Sequence, residues 1–146
     1  MRIRRISTFM AMIAATMLVG CASGPGYQEH AAQMQPVGDG NGRIYMYRKS
    51  ALGAAVQPAV RVNGEEVGKA KPKGFFYVDL APGTYDISAS TEAERNLNLT
   101  LDAGEEKYVR LEIKIGAFVG HVKPVLVDKS VGMEEIQKMK YTGGAE

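Results

Sequence analysis

The chain of 146 residues has no tryptophan, one cysteine and two histidines. A single cysteine forms no intramolecular disulfide, so the core holds by burial alone. Two histidines and one thiol cannot build a standard four-ligand zinc site. The Gly-x-Ser-x-Gly elbow of one large hydrolase class is missing, as are both common glycine-rich phosphate cradles. No apolar run reaches the ~20 residues that a membrane-spanning helix needs.

What is present starts with charge. Arg2, Arg4 and Arg5 precede "FMAMIAATMLVG" at 9–20, an uncharged and mostly apolar run. A cationic start, a short apolar core and small residues at its end describe a secretory signal peptide over residues 1–20. Leu18, Val19 and Gly20 before Cys21 resemble the bacterial lipobox. That resemblance implies cleavage before Cys21 and attachment of fatty acyl chains of the palmitate kind, a transfer that suits a nucleophilic thiolate. Two or more chains hold a protein firmly to a bilayer, whereas one binds marginally. The expected partner of Cys21 is therefore the lipid bilayer. Without Arg2, Arg4 and Arg5, 15 of the 18 basic residues remain against 16 acidic ones. That balance gives no footing to nucleic-acid binding.

Residues 22–42 carry five glycines, two prolines and no apolar period. This is linker composition. A flexible coil of that length reaches about 25 Å and would lift a domain clear of the lipid. His30 lies within it and is expected to be solvated. Residues 43–146 fit one domain.

In that domain the apolar period is two. "RIYMYRK" (43–49) is rich in aromatics. "AVRVNGEEVG" (59–68) holds Asn63-Gly64, a strong two-residue hairpin signal. "GFFYVDL" (74–80) and "TYDISAS" (84–90) flank Ala81-Pro82-Gly83. "NLNLTLD" (96–102) and "KYVRLEIKIG" (107–116) alternate, and "FVGHVKPVLVD" (118–128) is broken by Pro124, which marks an edge strand or a bulge. Seven or eight such strands predict an antiparallel β-sandwich. "SVGMEEIQKMKY" (130–141) predicts a short helix capped by Ser130, with Met133, Ile136 and Met139 inward, a Glu134–Lys138 pair, and a place over an open end of the sandwich.

Pro82 fixes φ near −65°, which suits a type II turn with Gly83 at positive φ and sends the chain from one sheet to the other. Asp79 and Asp86 are then expected as solvated carboxylates on diverging strands. With "RIYMYR" and "VRVNGEEVG", the run Leu80-x-Pro82-Gly83-x-Tyr85 resembles uncharacterised bacterial lipoproteins with a PEGA-like domain of unknown function, and more loosely transthyretin-like sandwiches. The resemblance implies a fold and carries over no catalytic residue.

Tyr45, Tyr47, Phe75, Phe76 and Tyr77 exceed what one inward face requires. Either they form an exposed partner surface with Lys69, Lys71 and Lys73, or the C-terminal helix covers them. The lysines either meet anionic groups or protect a loop from strand-to-strand pairing. The leading expectation is a non-enzymatic binding or assembly module, needing no metal or cofactor, lipid-anchored in the bacterial envelope and contacting an envelope protein. Ala22, where aspartate favours inner-membrane retention in Gram-negative lipoproteins, implies the outer membrane and a domain facing the periplasm. The alternatives are a small-molecule or glycan binder using aromatics 75–77, and a hydrolase assembled around His121.

Overall fold

The structure, a computed structural model, describes residues 21–89, 96–115 and 120–144. The segment expected as a signal peptide, with the lipobox-like residues Leu18, Val19 and Gly20, lies outside the described residues. In chain order the elements are α1 (Tyr27–Ala31), β1 (Gly42–Arg48), β2 (Ala59–Val62), β3 (Glu65–Lys69), β4 (Gly74–Leu80), β5 (Gly83–Ala89), β6 (Asn96–Leu101), β7 (Glu106–Ile115), β8 (Gly120–Val127), α2 (Lys129–Ile136) and β9 (Lys140–Tyr141).

The strands form a β-sandwich. One sheet has the order β8-β7-β1-β4-β9 and the other β3-β2-β5-β6. Leu99, Leu101, Val109 and Leu111 enter the core between the sheets with Ile44, Met46, Val60 and Ile87. The alternation in β6 and β7 thus has its expected meaning, and each large aliphatic side chain so buried is worth ~1.5–3 kcal/mol. Asn63 and Gly64 turn the β2–β3 hairpin with φ of 50° and 84°. Edge strand β8 carries Pro124, where a missing N–H costs the ladder least.

Two pairings depart from the antiparallel pattern: β1 with β7 and β4 with β9 run parallel. The first arises because the chain passes through β2–β6 before returning as β7, and the second because α2 carries the chain from β8 over the outer face of the five-stranded sheet to β9. β1 is buried along its whole length. Ile44 and Met46 face the core between the sheets, while Tyr45 and Tyr47 point the other way and form a second cluster with Phe75, Tyr108, Ile136 and Met139.

α2 caps that second cluster rather than an open end of the sandwich. Its N-cap is Asp128, not Ser130, and Asp128 makes no side-chain capping bond. Met133 is 42% exposed, and Gly132 is buried in its place, because the helix approaches the sheet so closely that a Cβ at 132 would overlap the Tyr108 ring. Eight residues make a helix that is marginal alone. It is fastened by Ile136, fully buried, and by Glu135 rather than by a Glu134–Lys138 pair.

The 79–86 corner does pass from sheet to sheet, since β4 and β5 lie in different sheets. Gly83 begins β5 without a positive φ, so the type II expectation fails there. The crossing is held by the Tyr85 hydroxyl, which donates to the Ala81 carbonyl at 2.6 Å. The two aspartates are also engaged. Asp79 pairs with Arg43 directly across β1 and β4, and Asp86 accepts from the Asn96 amide at 2.7 Å.

Candidate functional site

Four of the five aromatics offered as a contact surface are interior residues. Tyr45, Tyr47, Phe75 and Phe76 are buried, and Tyr77 is half-buried. Phe76 faces the core between the sheets, while Tyr45, Tyr47 and Phe75 lie under α2, α1 and the C-terminal segment. Burial pushes the Tyr45 hydroxyl up to about 12 and raises Tyr47 and Tyr108 further still. An exposed aromatic platform is therefore not what these residues build.

The stretch expected as a flexible tether is part of that cover. The Ala22 amide donates to the Pro72 carbonyl at 3.2 Å, Tyr27 N–H to Met139 at 3.2 Å, and Tyr141 N–H to Pro25 at 2.8 Å. The Arg43 guanidinium grips Asp79 at 2.6 and 2.7 Å, donates to the Gln35 carbonyl at 3.0 Å and lies 4.3 Å from the Tyr77 ring centre. The bond to Asp79 raises its pKa. His30 is not a solvated linker residue: its ring stacks on Tyr141 with centroids 3.6 Å apart. Burial lowers its pKa, and the positive charge of Arg43 adds to the effect.

Two charged groups do work that the sequence did not announce. Glu135 accepts from the Tyr47 hydroxyl at 2.6 Å, from Lys49 at 2.6 Å and from Arg110 at 2.9 and 3.1 Å. Burial opposes its ionisation, but the bonds from Lys49 and Tyr47 and the charge of Arg110 prevail and lower its pKa. Arg48 is fully buried at the end of β1. Its parity puts it on the core face with Ile44 and Met46. Its Nε donates to Ser50, one terminal nitrogen to Val56 and Ala70, and the other to Leu52 and Gly53, at 2.6–3.1 Å throughout. All five N–H groups are thereby satisfied by backbone carbonyls. Burial lowers its pKa, but a guanidinium stays protonated, and the loop at 50–57 closes the sandwich end around that cation.

Strand directions bring that loop, the 70–73 connection and Cys21 to one end of the molecule. Cys21 is exposed there, while Ala22 is buried against Gly74. Lys69 and Lys73 are exposed beside it and Lys71 is half-buried. The opposite end carries Asp39, Asp102, Glu105 and Asp128. A surface cavity of about 400 Å³ between residues 104–107 and 126–129 is lined by charged residues with Gly104, Leu126 and Val127, not by aromatics 75–77. His121 on β8 sits opposite Lys114, and its Nδ1 has no hydrogen-bond partner among the described residues. Among the described residues no cluster of histidine, cysteine and carboxylates could hold a metal ion, and no helix is long and apolar enough to cross a membrane.

The molecule is a two-sheet β-sandwich whose larger sheet is roofed by the segment around α1 and by α2 with the segment that follows it. A profile described as protein of unknown function (DUF2846) matches residues 38–123. That is more than half of the chain, and the chain belongs to this family. An uncharacterized protein of Haemophilus influenzae is 29% identical over 130 residues, covering 86% of this chain and 77% of its own length. No solved structure matches.

Proposed function

We propose that this protein is a lipid-anchored envelope lipoprotein, a non-enzymatic binding or assembly module held at a bilayer by acylated Cys21. The observation that carries the reading is the position of the sole cysteine. It follows a lipobox-like Leu18-Val19-Gly20, and it is exposed, one residue before the docked Ala22. A cut before Cys21 would leave every described element intact.

The anchored, scaffold-like role is also supported by where the charged side chains are spent. Glu135 fastens a helix, Asp79 and Arg43 clamp the N-terminal segment, and Arg48 closes a loop. These groups hold structure. The burial of Phe75 and Phe76 weighs against a ligand site on the aromatics. The PEGA-like and transthyretin-like resemblance supports the same reading by architecture, and Ala22 after the cysteine supports the outer membrane with the domain facing the periplasm.

The test is mass spectrometry of the native product together with fractionation of Cys21→Ala. Diacylglyceryl mass on Cys21, and release of the variant from the membrane fraction, are expected. An unmodified residue 21 overturns the proposal.

A further inference from the structure

We propose that the sandwich sits directly on an anionic phospholipid surface, with the loop at 50–57 inserted at the headgroup boundary and Lys69, Lys71 and Lys73 against the phosphates. This rests on the acylation of Cys21.

The first argument is distance. The Ala22 amide is bonded to Pro72 and its methyl group is buried, so one residue, ~3.8 Å between Cα atoms, separates the docked chain from the acylated sulfur. No free tether remains. Wherever the acyl chains enter the bilayer, the end of the body that carries Cys21 is carried to the same plane.

The second argument is what that end exposes. In "SALGAAVQP" Leu52 is 56% exposed and Val56 36% exposed, and Ala51 and Ala55 are exposed with them. An apolar loop in water is ordinarily free to fold its side chains away. This one is prevented, because Arg48 ties the carbonyls of Ser50, Leu52, Gly53 and Val56 to a single buried guanidinium. The same guanidinium holds Ala70, two residues before the Pro72 that receives Ala22. The anchor, the apolar loop and the lysine connection are thus one hydrogen-bonded unit. Apolar residues ringed by lysines are the composition that lies in a membrane interface, apolar side chains ~5–10 Å into it and cations at the phosphates. At the opposite end Glu105 and Glu106 are paired with Lys107 and Lys129, but Asp39, Asp102 and Asp128 leave it net acidic, which gives the molecule the polarity to stand this way up.

Because Cys21 would be a thioether, a new cysteine is the only free thiol and takes a label cleanly. We would place bimane on Leu52→Cys and, separately, on Asp39→Cys at the far end. The acylated full chain is put into phosphatidylethanolamine–phosphatidylglycerol vesicles containing brominated lipid. Quenching severalfold stronger at position 52 than at 39 is expected, reduced when Lys69, Lys71 and Lys73 are all changed to glutamate. Acylated protein with both labels equally unquenched overturns the seat while leaving the anchor standing. Mass spectrometry showing a bare Cys21 overturns both. A photo-crosslinker at position 52 that captures a protein rather than lipid in cells overturns the seat in favour of a protein partner.

Discussion

His30 lies nearly flat on Tyr141, with ring planes 13° apart, and so joins the start of the described chain to its end. Tyr141 itself belongs to β9, the strand that edges the larger sheet beside Phe75. The stack means that the N-terminal segment is docked through a titratable ring.

Docking should therefore depend on pH. His30 has a lowered pKa because burial and Arg43 both disfavour the imidazolium. A released segment would protonate near the ordinary value of about 6.5 before the docked one does. The docked state is fully favoured above that value and loses ground as pH falls through it. Backbone protection of residues 27–31, corrected for intrinsic exchange, should drop on going from about pH 7.5 to about 5.5. His30→Phe keeps a ring for stacking and should abolish the drop. Protection that is unchanged in the wild type would show that the imidazole plays no part in docking.

Gly132 is where α2 touches the sheet. Alanine there gains up to ~1 kcal/mol of helix propensity, but its methyl group would overlap the Tyr108 ring near the backbone, where the side chain cannot swing aside. Overpacking of this kind costs about 1–3 kcal/mol. The overlap should win, and Gly132→Ala should lower denaturant stability by about 1–2 kcal/mol. A stabilised variant would mean that the helix stands off Tyr108.

These contacts show which parts of the molecule could be read from the chain. Strands declared themselves wherever one face was buried: Leu97, Leu99 and Leu101 in β6, and Val109, Leu111 and Ile113 in β7, needed only period two. β1 did not, because its two faces are buried against different things, and its aromatics looked like surplus. The segment at 22–42 looked like linker because its docking relies on backbone bonds, donated by Ala22 and Tyr27 and accepted by Pro25, which leave no side-chain period. Arg48, Arg43 and Glu135 were invisible for another reason. A charged residue is read as solvated unless a partner side chain is close in sequence. Glu135 reaches Tyr47 from a helix laid over the sheet, Arg43 finds Asp79 on the neighbouring strand, and Arg48 is met by backbone carbonyls, which carry no residue signature. The expectation for Cys21 rested on local sequence, the Leu18-Val19-Gly20 run before it, and not on tertiary contacts.

Glu135 should govern part of the acid stability. Its lowered pKa means that the stabilisation is complete above the ordinary glutamate value of about 4.3 and is lost as pH falls through and below it. Hydrogen bonds to a charged group are worth ~1.5–3 kcal/mol, so Glu135→Gln should cost about 2 kcal/mol near neutral pH and flatten the acid limb of the stability curve. Glu105 also has a lowered pKa, through Lys107, so some acid dependence should survive. Urea titrations across pH measure both effects. A Gln variant with the wild-type acid limb would place the proton uptake elsewhere.

Arg48→Lys separates charge from geometry. Lysine keeps the cation but offers three donors from one point, and the carbonyls of Ser50, Leu52, Gly53, Val56 and Ala70 converge on five donors of a planar fork. A buried ammonium loses more in desolvation than a guanidinium, which is weakly hydrated to begin with. The substitution should destabilise the fold by about 2–4 kcal/mol, in the range for breaking a buried hydrogen-bonded charge. The loss should be local first: amides at 50–57 should exchange faster than those of β7 before global unfolding does. Arg48→Met removes the desolvation cost along with the donors, so it should be no worse than lysine in global stability while freeing the same loop. If lysine preserved the protection of 50–57, charge alone would be closing this end of the sandwich, and the fork of donors would be incidental.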